Sequence, residues 1–593
     1  MLKKRVYRTI TLMLMLAMLV MVSACGQGQE AGEAATTKDA SSTSGETSKD
    51  TPKDTPVVQL DVFSASTASV SAAGVYDDTY WGKILKDEIG VSLNILPSGD
   101  QAQEKLQALM AGGELPDIVI FGNTKDLQNA IRGNMLVNLD DNLDKLPNVT
   151  LNASKALQYY RDNVSNGTGK AYGIPSGVGP AELGTETNWG PFLRWDLYEK
   201  AGSPTINSFD DYLPLLKKMQ EVEPKNKDDK NTYGITLWKD WDNYSMFLGT
   251  EIGPTLGIDC GDQLGQLPFL QVDFTTGKTA NTLDRDSLYM QALKFYYEAN
   301  QMGLVDPDSL TQTYDTAKAK LIEGRVFFSW WAWFNDAYNT PENTNADSPT
   351  GFAPVLPANS KMLISGENVI GNPTPIAIGS ATKNLDACLK YVDFMYSVDG
   401  VQAMFNGAKG STWDIGSDGK PVLTEDAWNY VNDLTLELPE GGKWGDGTRV
   451  LGFNGISLAF VNPETKEPIN YQLWESTKKH NIANQTKLQK NWTGVTGYQY
   501  MIDYVKGEKL YTEMPLAKSL ITPMTDEISS TAARIGDVVK ANSWKMVFAK
   551  NDAEFESLYN DMMTKAEGLG LKEVYESSLK GWSEASAFAD KYK

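Results

Sequence analysis

From residue 57 onward, short apolar runs alternate with segments that have the spacing of amphipathic helices. The predicted strands are residues 57–63, 91–96 and 117–121, and the predicted helices are residues 76–88 and 101–111. Strands that alternate with helices favour an α/β fold built on a parallel sheet. Such sheets bind ligands at the carboxyl ends of their strands, so Tyr76 and Asn123 are candidate binding residues.

A second region begins near Trp189 and places aromatic and basic residues just ahead of a helix. A capping box starts that helix, and apolar residues follow it at helical spacing. Loops carried by rigid elements are common places for binding residues, which makes Trp189, Arg194 and Trp195 candidates. The alternatives are plain packing for the tryptophans and, for Arg194, an ion pair with Asp196 or Glu199.

Further tryptophans cluster in three places. The most aromatic run, residues 326–334, predicts a strand that ends in a loop, and its tryptophans alternate, so at least one should point outward. Two more lie in a polar loop beside Asp240 and Asp242, and another follows the predicted helix at 384–397. We predict that these rings stack on a ligand, although aromatic residues also fill cores. The candidates are Trp238, Trp241, Trp330, Trp331, Trp333 and Trp413.

The remaining patterns are mainly helical. The predicted helices are residues 286–302, 316–323, 384–397 and 554–567, and a predicted strand covers residues 374–378. Residues 415–500 give only weak signals, and the chain contains no internal repeat. Because one core rarely serves so long a chain, 593 residues predict two or more domains.

The amino terminus has the pattern of an export signal. Residues 1–24 combine four basic residues with an apolar run and end in small residues ahead of Cys25. This order is similar to the signal of bacterial lipoproteins, in which the cysteine carries the lipid that holds the protein to the membrane. The alternatives are an ordinary secretion signal and an anchor helix. Residues 25–56 lack large apolar side chains, so we expect a lipidated cysteine followed by a disordered tether.

Charge and cysteine content narrow the function further. The net charge of −22 argues against nucleic acid and against an anionic membrane surface as partners. Cys260 and Cys388 form no CxxC motif, and a disulfide between them stays open. The single histidine, His480, lies beside lysines, so we expect no histidine triad and no histidine-based metal site. A glycosidase that uses two carboxylates stays open.

Several segments resemble family 1 extracellular solute-binding proteins. They are KLQALMAGGELPDI at 105–118, KAYGIP at 170–175, the stretch 192–236, IEGRV at 322–326 and residues 382–400. The matches follow the family's order over residues 57–400. The resemblance implies an α/β, two-lobe, periplasmic-binding-protein-like fold with the ligand cleft between the lobes. It places residues 57–175, with 365–410 returning, in lobe 1, and residues 176–364 and 411–593, with the C-terminal helices, in lobe 2.

The same resemblance implies a function. It indicates a lipid-anchored extracellular protein that captures an oligosaccharide and delivers it to the permease subunits of an ABC transporter, without catalysis. We expect a monomer that is attached to the membrane through its lipid alone. The alternatives are a cell-surface glycoside hydrolase or lyase, and a peptide-binding or adhesion lipoprotein.

One loop bears on whether the protein binds a calcium ion as a cofactor. Relatives in this family often carry a calcium-binding loop at the position of residues 223–231. Here Lys225 and Lys227 stand where oxygen ligands would be needed. We therefore expect a plain surface turn and no cofactor.

Overall fold

The computed structural model describes residues 56–66, 73–184, 187, 189–261, 267–447, 451–522 and 524–592. The expected signal at 1–24, the lipidation site Cys25 and the tether up to residue 55 lie outside these residues. Within the described ranges, no helix has both the length and the apolar character needed to cross a bilayer.

Strands and helices alternate along the described chain. The strands are β1 (Val58–Ser64), β2 (Gly74–Val75), β3 (Val91–Ile95), β4 (Ile118–Ile120), β5 (Ile174–Ser176), β6 (Phe192–Arg194), β7 (Ile258–Asp259), β8 (Leu270–Asp273), β9 (Thr279–Asn281), β10 (Phe328–Ser329), β11 (Phe352–Pro354), β12 (Met362–Ile364), β13 (Asn372–Ile378), β14 (Trp413–Ile415), β15 (Pro421–Leu423) and β16 (Tyr511–Glu513). Short 3₁₀ segments and one π turn at Tyr160–Val164 join some of these elements.

The α-helices fall mostly between the strands and at the carboxyl end. They are α1 (Tyr80–Ile89), α2 (Ala102–Gly112), α3 (Thr124–Arg132), α4 (Pro147–Asn152), α5 (Ser154–Tyr159), α6 (Trp195–Lys200), α7 (Tyr212–Val222), α8 (Phe247–Thr250), α9 (Ile252–Thr255), α10 (Leu288–Gln301), α11 (Tyr314–Ile322), α12 (Ala332–Asn335), α13 (Pro341–Thr344), α14 (Leu385–Phe394), α15 (Val398–Asn406), α16 (Ala427–Asn432), α17 (Glu475–Ala483), α18 (Lys487–Thr496), α19 (Met501–Gly507), α20 (Asp526–Val547), α21 (Asp552–Leu569) and α22 (Leu571–Ala589).

A six-stranded mixed sheet organises the first part of the fold, in the order β2-β3-β1-β4-β13-β5. Strands β1, β3 and β4 run parallel, with Leu60 opposite Leu93 and Val62 opposite Ile118. Strand β13 returns antiparallel between β4 and β5. The three residues of β4 are fully buried, as expected for a strand that is covered on both faces. The predicted parallel α/β construction is confirmed here.

The first helix begins later than its pattern predicts. Helix α1 starts at Tyr80, because the hydroxyl of Thr79 accepts a hydrogen bond from the backbone N–H of Gly82 and caps the helix there. Tyr76 instead donates its backbone N–H to Leu93 at the end of the sheet. The prediction of a helix from residue 76 is therefore wrong by one turn.

A second centre is formed by the antiparallel sheet β10-β6-β11. Large aromatic side chains fill the space around it, and Tyr212, Tyr289 and Phe327 are among the most buried. The aromatic run at 326–334 differs from the predicted strand and loop. Only two of its residues form β10, and α12 begins at Ala332, three residues after the strand ends.

Two large buried cores draw their residues from alternating parts of the chain. One takes side chains from residues 60–178 and 376–474, and the other from residues 192–362 and 488–574. The expected lobe 2 includes 411–593, yet the side chains from Trp413 to Trp474 pack in the core of the first sheet. We therefore propose revised lobe boundaries, in which residues 413–474 belong to lobe 1.

Three segments run side by side where the chain passes between the cores. The N–H of Gly177 donates to the carbonyl of Asn454 over 2.7 Å, and Gly179 exchanges two 2.9 Å hydrogen bonds with Asn368. Gly179 has a φ of +132°, and a Cβ there would approach the ring of Phe460 to 2.2 Å. Glycine is therefore required at this point of the crossing.

The two described cysteines are buried, and no disulfide joins them. Cys388 lies on α14, within the core of the first sheet. Burial raises the pKa of its thiol to about 11. A thiol with so high a pKa is a poor nucleophile at neutral pH, so Cys388 acts as a small apolar residue.

Candidate functional site

Seven aromatic residues from four separate stretches meet in one group, which we call the aromatic cluster. Ring centroids lie 5.2 Å apart for Trp238 and Trp241, 4.9 Å for Trp241 and Tyr314, and 5.5 Å for Trp331 and Trp333. The cluster consists of Trp238, Trp241, Phe247, Tyr314, Trp331, Trp333 and Phe334. Four of the predicted ligand-stacking tryptophans are thus brought together.

The cluster is layered from the core outward. Trp238 and Trp331 are 2% and 4% exposed and form its buried floor. Trp241 and Tyr314 are half-buried, and their rings stack with an angle of 28° between planes. Trp333 is 46% exposed and lies at the surface. The prediction that at least one tryptophan of the 326–334 run points outward is confirmed for Trp333.

Two aspartates of the 238–242 loop hold the cluster in place. The carboxylate of Asp240 accepts the backbone N–H of Tyr314 over 2.7 Å and thereby fixes the start of α11. The carboxylate of Asp242 accepts the N–H of Phe247 over 3.0 Å and the indole N–H of Trp544 over 2.6 Å. Since these oxygens are engaged in backbone and indole contacts, their role here is to position the rings.

A polar cavity of about 290 Å³ lies beside the crossing segments. Its lining includes Glu182, Asn368, Asn454 and Ser457. The surrounding protein raises the pKa of Glu182, and a 2.9 Å hydrogen bond from the side chain of Asn470 partly offsets this rise. Carboxylate and amide groups of this kind can pair with hydroxyl groups of a ligand. We call this cavity, with these four residues in its lining, the crossing cavity.

The crossing cavity contains functional candidates that the sequence patterns do not single out. Glu182 stands in an irregular segment with no periodicity, and Asn454 comes from the weakly patterned stretch 415–500. Only the hydrogen bonds between crossing segments bring these side chains together. Tyr314 is likewise missed, since nothing near it in sequence signals the Trp241 ring that it meets.

Arg194 and Trp195 lie inside the second core. The guanidinium of Arg194 is 2% exposed and donates twice to Asp196, over 2.9 and 3.0 Å. It also lies 3.5 Å from Glu223. Trp195 is 3% exposed and donates its indole N–H to Asn491 over 3.0 Å. The ion pair that the sequence leaves open for Arg194 is present, so neither residue enters the proposed site.

Three other predicted ligand-binding residues are buried inside the protein. Tyr76 is buried, and burial, followed by the charge of Asp446, raises its pKa to about 12. Trp330 donates its indole N–H to the hydroxyl of Tyr296, and Trp413 donates its own to the carbonyl of Gly407, each over 3.0 Å. Trp330 and Trp413 thus have their indole N–H groups engaged by the fold, although Trp413 also lines a cavity of about 610 Å³. For these three residues, ligand binding stays a prediction.

Asn123 and Trp189 occupy intermediate positions. Asn123 caps α3, and its side-chain amide also donates to the carboxylate of Asp126 over 2.8 Å. Trp189 is partly buried and lines a small cavity of about 100 Å³ together with Thr250 of α8. Because α8 begins at Phe247 of the aromatic cluster, Trp189 lies along the same side of the second core. Both residues stay predictions.

The loop at 223–231 does not fit a calcium ion. The ammonium group of Lys225 pairs with Asp229 over 2.8 Å, and that of Lys230 pairs with Glu323 over 2.6 Å. The side-chain oxygen of Asn226 accepts two backbone N–H groups of the turn. In the part of the chain that the structure describes, no group of three His, Cys, Asp or Glu residues could hold a metal ion. Asp229 and Asn226 thus already have lysine and backbone partners, which leaves the loop short of the several oxygen ligands that calcium needs.

The family model for bacterial extracellular solute-binding proteins matches residues 68–402, which is more than half of the chain. The chain belongs to this family. No curated protein sequence matches it.

Solved structures share the fold at low identity. An "HMO binding ABC-transporter associated" solute-binding protein from Bifidobacterium longum infantis is 17% identical, with a TM-score of 0.57 over 89% of this chain and 98% of that one. FusA from Streptococcus pneumoniae, in complex with kestose, is 17% identical, with a TM-score of 0.57 over 89% and 100%. The N-glycan transport protein NgtS from the same species is 14% identical, with a TM-score of 0.53 over 90% and 99%. The chain therefore has the two-lobe fold of solute-binding proteins.

Proposed function

We propose that this protein captures an oligosaccharide outside the cell and delivers it, chemically unchanged, to the permease of an ABC transporter. The observation that carries the proposal is the layered aromatic cluster, which exposes Trp333 over a rigid floor of buried rings. Family membership supports solute capture. The saccharides and transporters named for the similar structures favour a sugar as the solute.

The aromatic cluster and the crossing cavity would divide the work of binding. Sugar rings present apolar C–H faces, which Trp241, Tyr314 and Trp333 can cover with their exposed ring surface. The hydroxyl groups need polar partners, which Glu182 and Asn454 can supply. A site that hydrogen-bonds particular hydroxyls discriminates against analogues that lack them.

The mode of attachment belongs to the same proposal. Lipid on Cys25 would hold the folded part near the membrane through the segment 25–56, and the protein would act there as a monomer. Ligand binding would close the two lobes by a hinge motion at the crossing segments. The permease would then recognise the closed form.

A thermal-shift screen of the purified protein against a panel of neutral oligosaccharides tests the proposal. A ligand that binds only the folded state adds about 2.7 kcal/mol of stability at a hundredfold excess over its Kd. We expect at least one clear rise in Tm, and mass spectrometry of the recovered sugar should find it intact. Silence across the panel, or conversion of the bound sugar into products, would overturn the proposal.

Two variants connect the screen to the site. Trp333→Ala should reduce the shift, because it removes the exposed ring of the aromatic cluster. Trp582→Ala is the matched control, since Trp582 is also partly exposed but packs on Phe274, outside the aromatic cluster. Equal losses in both variants would show that the effect of Trp333→Ala is not local to the cluster.

A further inference from the structure

The cavity of about 610 Å³ that Trp413 lines is built from one core alone. Its described lining residues come from 84–88, 394–419 and 462–465, all within the stretches of chain that form the first core. The volume is within the range of roughly 300–1,000 Å³ that is usual for small-molecule sites. This cavity is therefore separate from the space between the two cores.

The cavity lies towards the amino-terminal edge of the parallel strands. Helix α1 carries Glu88 in its last turn, and the carbonyl of Gly90, which follows the helix, accepts the N–H of Val58 over 2.9 Å. Val58 begins β1, where it pairs with Val91 at the start of β3. Parallel α/β sheets bind their ligands at the opposite edge, at the carboxyl ends of the strands. A molecule in this cavity would therefore be a second ligand, distinct from the captured solute.

The inner wall of the cavity is apolar and aromatic. Trp413, Phe394 and Ile84 of α1 contribute to it. The ring of Phe394 stacks on Trp81 with centroids 6.0 Å apart, and the indole N–H of Trp413 is held by the carbonyl of Gly407. Rings fixed in this way form a rigid surface against which a chain of methylene groups can pack.

Carboxylates without ionic partners stand around this wall. Glu88, Asp399 and Glu464 are exposed lining residues, and none of them forms a salt bridge within the described chain. Lys409 is the one basic residue in the described lining, which leaves an excess of two negative charges. These carboxylates do not form a metal site, since no three acidic side chains among the described residues could hold an ion together. They suit a cation whose charges are spread along a chain.

Lys409 shows where an ammonium group sits in this cavity. Its Nζ lies 5.8 Å from the centroid of the Trp413 ring, within the distance of about 6 Å over which a cation is attracted to an aromatic face. The side chain is exposed and has no salt bridge in the part of the protein that the structure describes. A ligand ammonium can take the same place once this flexible side chain moves aside.

We propose that this cavity binds a linear aliphatic polyamine, with its methylene groups against Trp413, Phe394 and Ile84 and its ammonium groups beside the carboxylates. The excess negative charge attracts the cation, and the apolar wall favours it over an inorganic ion of the same charge. The inference does not depend on the proposed function, since the described lining shares no residue with the aromatic cluster or the crossing cavity.

Fluorine NMR of the purified protein labelled with 5-fluorotryptophan tests the site directly. Trp413→Phe and Trp333→Phe assign two resonances, each by the loss of one signal. The probes are putrescine, spermidine and spermine, added singly at constant ionic strength. MgCl₂ is the matched control, because a net charge of −22 attracts any cation.

We expect at least one of the amines to shift the Trp413 resonance in a saturable way, while Mg²⁺ does not and the Trp333 resonance stays in place. If no amine shifts the Trp413 resonance, the inference is overturned. An equal response to Mg²⁺, or an equal response at Trp333, would show diffuse attraction to an acidic protein and would also overturn it.

Glu464→Gln tests the charged rim. The change removes one negative charge and keeps the shape of the side chain, so the Kd of the amine measured at Trp413 should rise about threefold. Glu221→Gln is the matched control, since Glu221 is also exposed without a salt bridge in the described chain but lies on α7. Equal Kd values in the two variants would show that the rim does not hold the ligand and would overturn the site.

Lys409→Ala should change the Kd in the opposite direction. Without the ammonium group over Trp413, the ring is free for the ligand, so the Kd should fall about threefold. Lys318→Ala removes the same charge from a matched position, since the Nζ of Lys318 lies 5.8 Å from the ring centroid of Tyr314 in the aromatic cluster. It should leave the Kd near its original value. A Kd that does not fall in Lys409→Ala contradicts the placement of the ligand over the Trp413 ring.

Discussion

Two groups of aromatic residues in this protein look alike in ring geometry and differ in what surrounds them. In the first core, Trp413 and Trp474 lie 5.8 Å apart, are 8% and 0% exposed, and donate their indole N–H groups to backbone carbonyls. In the aromatic cluster, Trp333 is 46% exposed and the buried indole N–H of Trp238 has no partner. Ring contacts alone therefore do not distinguish the two groups, whereas exposure and unused polar atoms do.

The largest effect should come from the first core. Trp474→Ala removes a fully buried side chain whose indole N–H bonds to Pro468 over 2.7 Å. We expect a loss of about 4 kcal/mol in the free energy of unfolding, measured by urea denaturation. A loss no larger than that of Trp333→Ala would break the comparison between the two groups.

Arg194 should give the next largest effect. Arg194→Ala leaves the buried carboxylate of Asp196 without its bidentate partner. Glu223 also loses its contact with Arg194 and is only partly exposed to water. We expect about 3 kcal/mol of destabilisation by chemical denaturation. The Kd of the bound sugar at a temperature where the variant is folded should stay near its original value. A selective loss of binding would instead show that Arg194 contributes to the binding site.

Trp333→Ala should affect binding more than folding. Removing a half-exposed ring that also stacks on Trp331 should lower the free energy of unfolding by about 1 kcal/mol. The sugar Kd should rise about tenfold, equivalent to about 1.4 kcal/mol, when measured by calorimetry. Trp333→Phe keeps a ring and should lose less. An unchanged Kd in both variants would remove the distinction drawn between the two aromatic groups.

Acid should produce the smallest effect, at a carboxylate next to the first group. Glu475 follows Trp474, and hydrogen bonds from Lys420 and Lys479 lower its pKa from 4.5 to about 2. Because the folded-state pKa is depressed, the stabilisation is complete above the ordinary pKa and disappears as the pH falls towards 2. Glu475→Gln should thus have a slightly lower Tm at neutral pH, and the difference should shrink in acid.

That prediction has a clear contrary outcome. A Tm difference between the protein and Glu475→Gln that stays constant through the acid range would mean that the carboxylate charge does not contribute. Lys420→Gln should show the same convergence in acid, because Lys420 holds Glu475 and also lies 3.1 Å from Glu467. The contribution is small, since Lys420, Glu475 and Lys479 are partly or largely exposed.

Local patterns predict much of this fold because the responsible forces are local. The runs at 91–96 and 117–121 are strands since their apolar residues are covered by neighbours on both faces. Helices α10 and α21 lie close to the predicted 286–302 and 554–567, where apolar spacing and caps agree. Within the weakly patterned stretch 415–500, the residues up to 474 reach the first core through short elements and isolated bridges, which leave no long periodic pattern.

The candidate site could be predicted only in parts. The tryptophans at 238, 241, 331 and 333 stand out by composition, but their meeting depends on bridges such as Tyr233 to Val326, between residues far apart in sequence. Arg194 shows the converse: a basic residue in a suggestive segment is taken by its near neighbour Asp196. Glu182 has no local signal, because what distinguishes it is the cavity around it.

The alternation of the two cores along the chain has a consequence for biogenesis. Strand β4 cannot gain its partner β13 until Ile376 has been synthesised, and the first core lacks Trp474 until later still. The second core in turn waits for residues up to 574. Pairings between such distant segments slow folding. The nascent chain should therefore stay unfolded for most of its synthesis, which is the state in which a polypeptide can be threaded through a translocation pore.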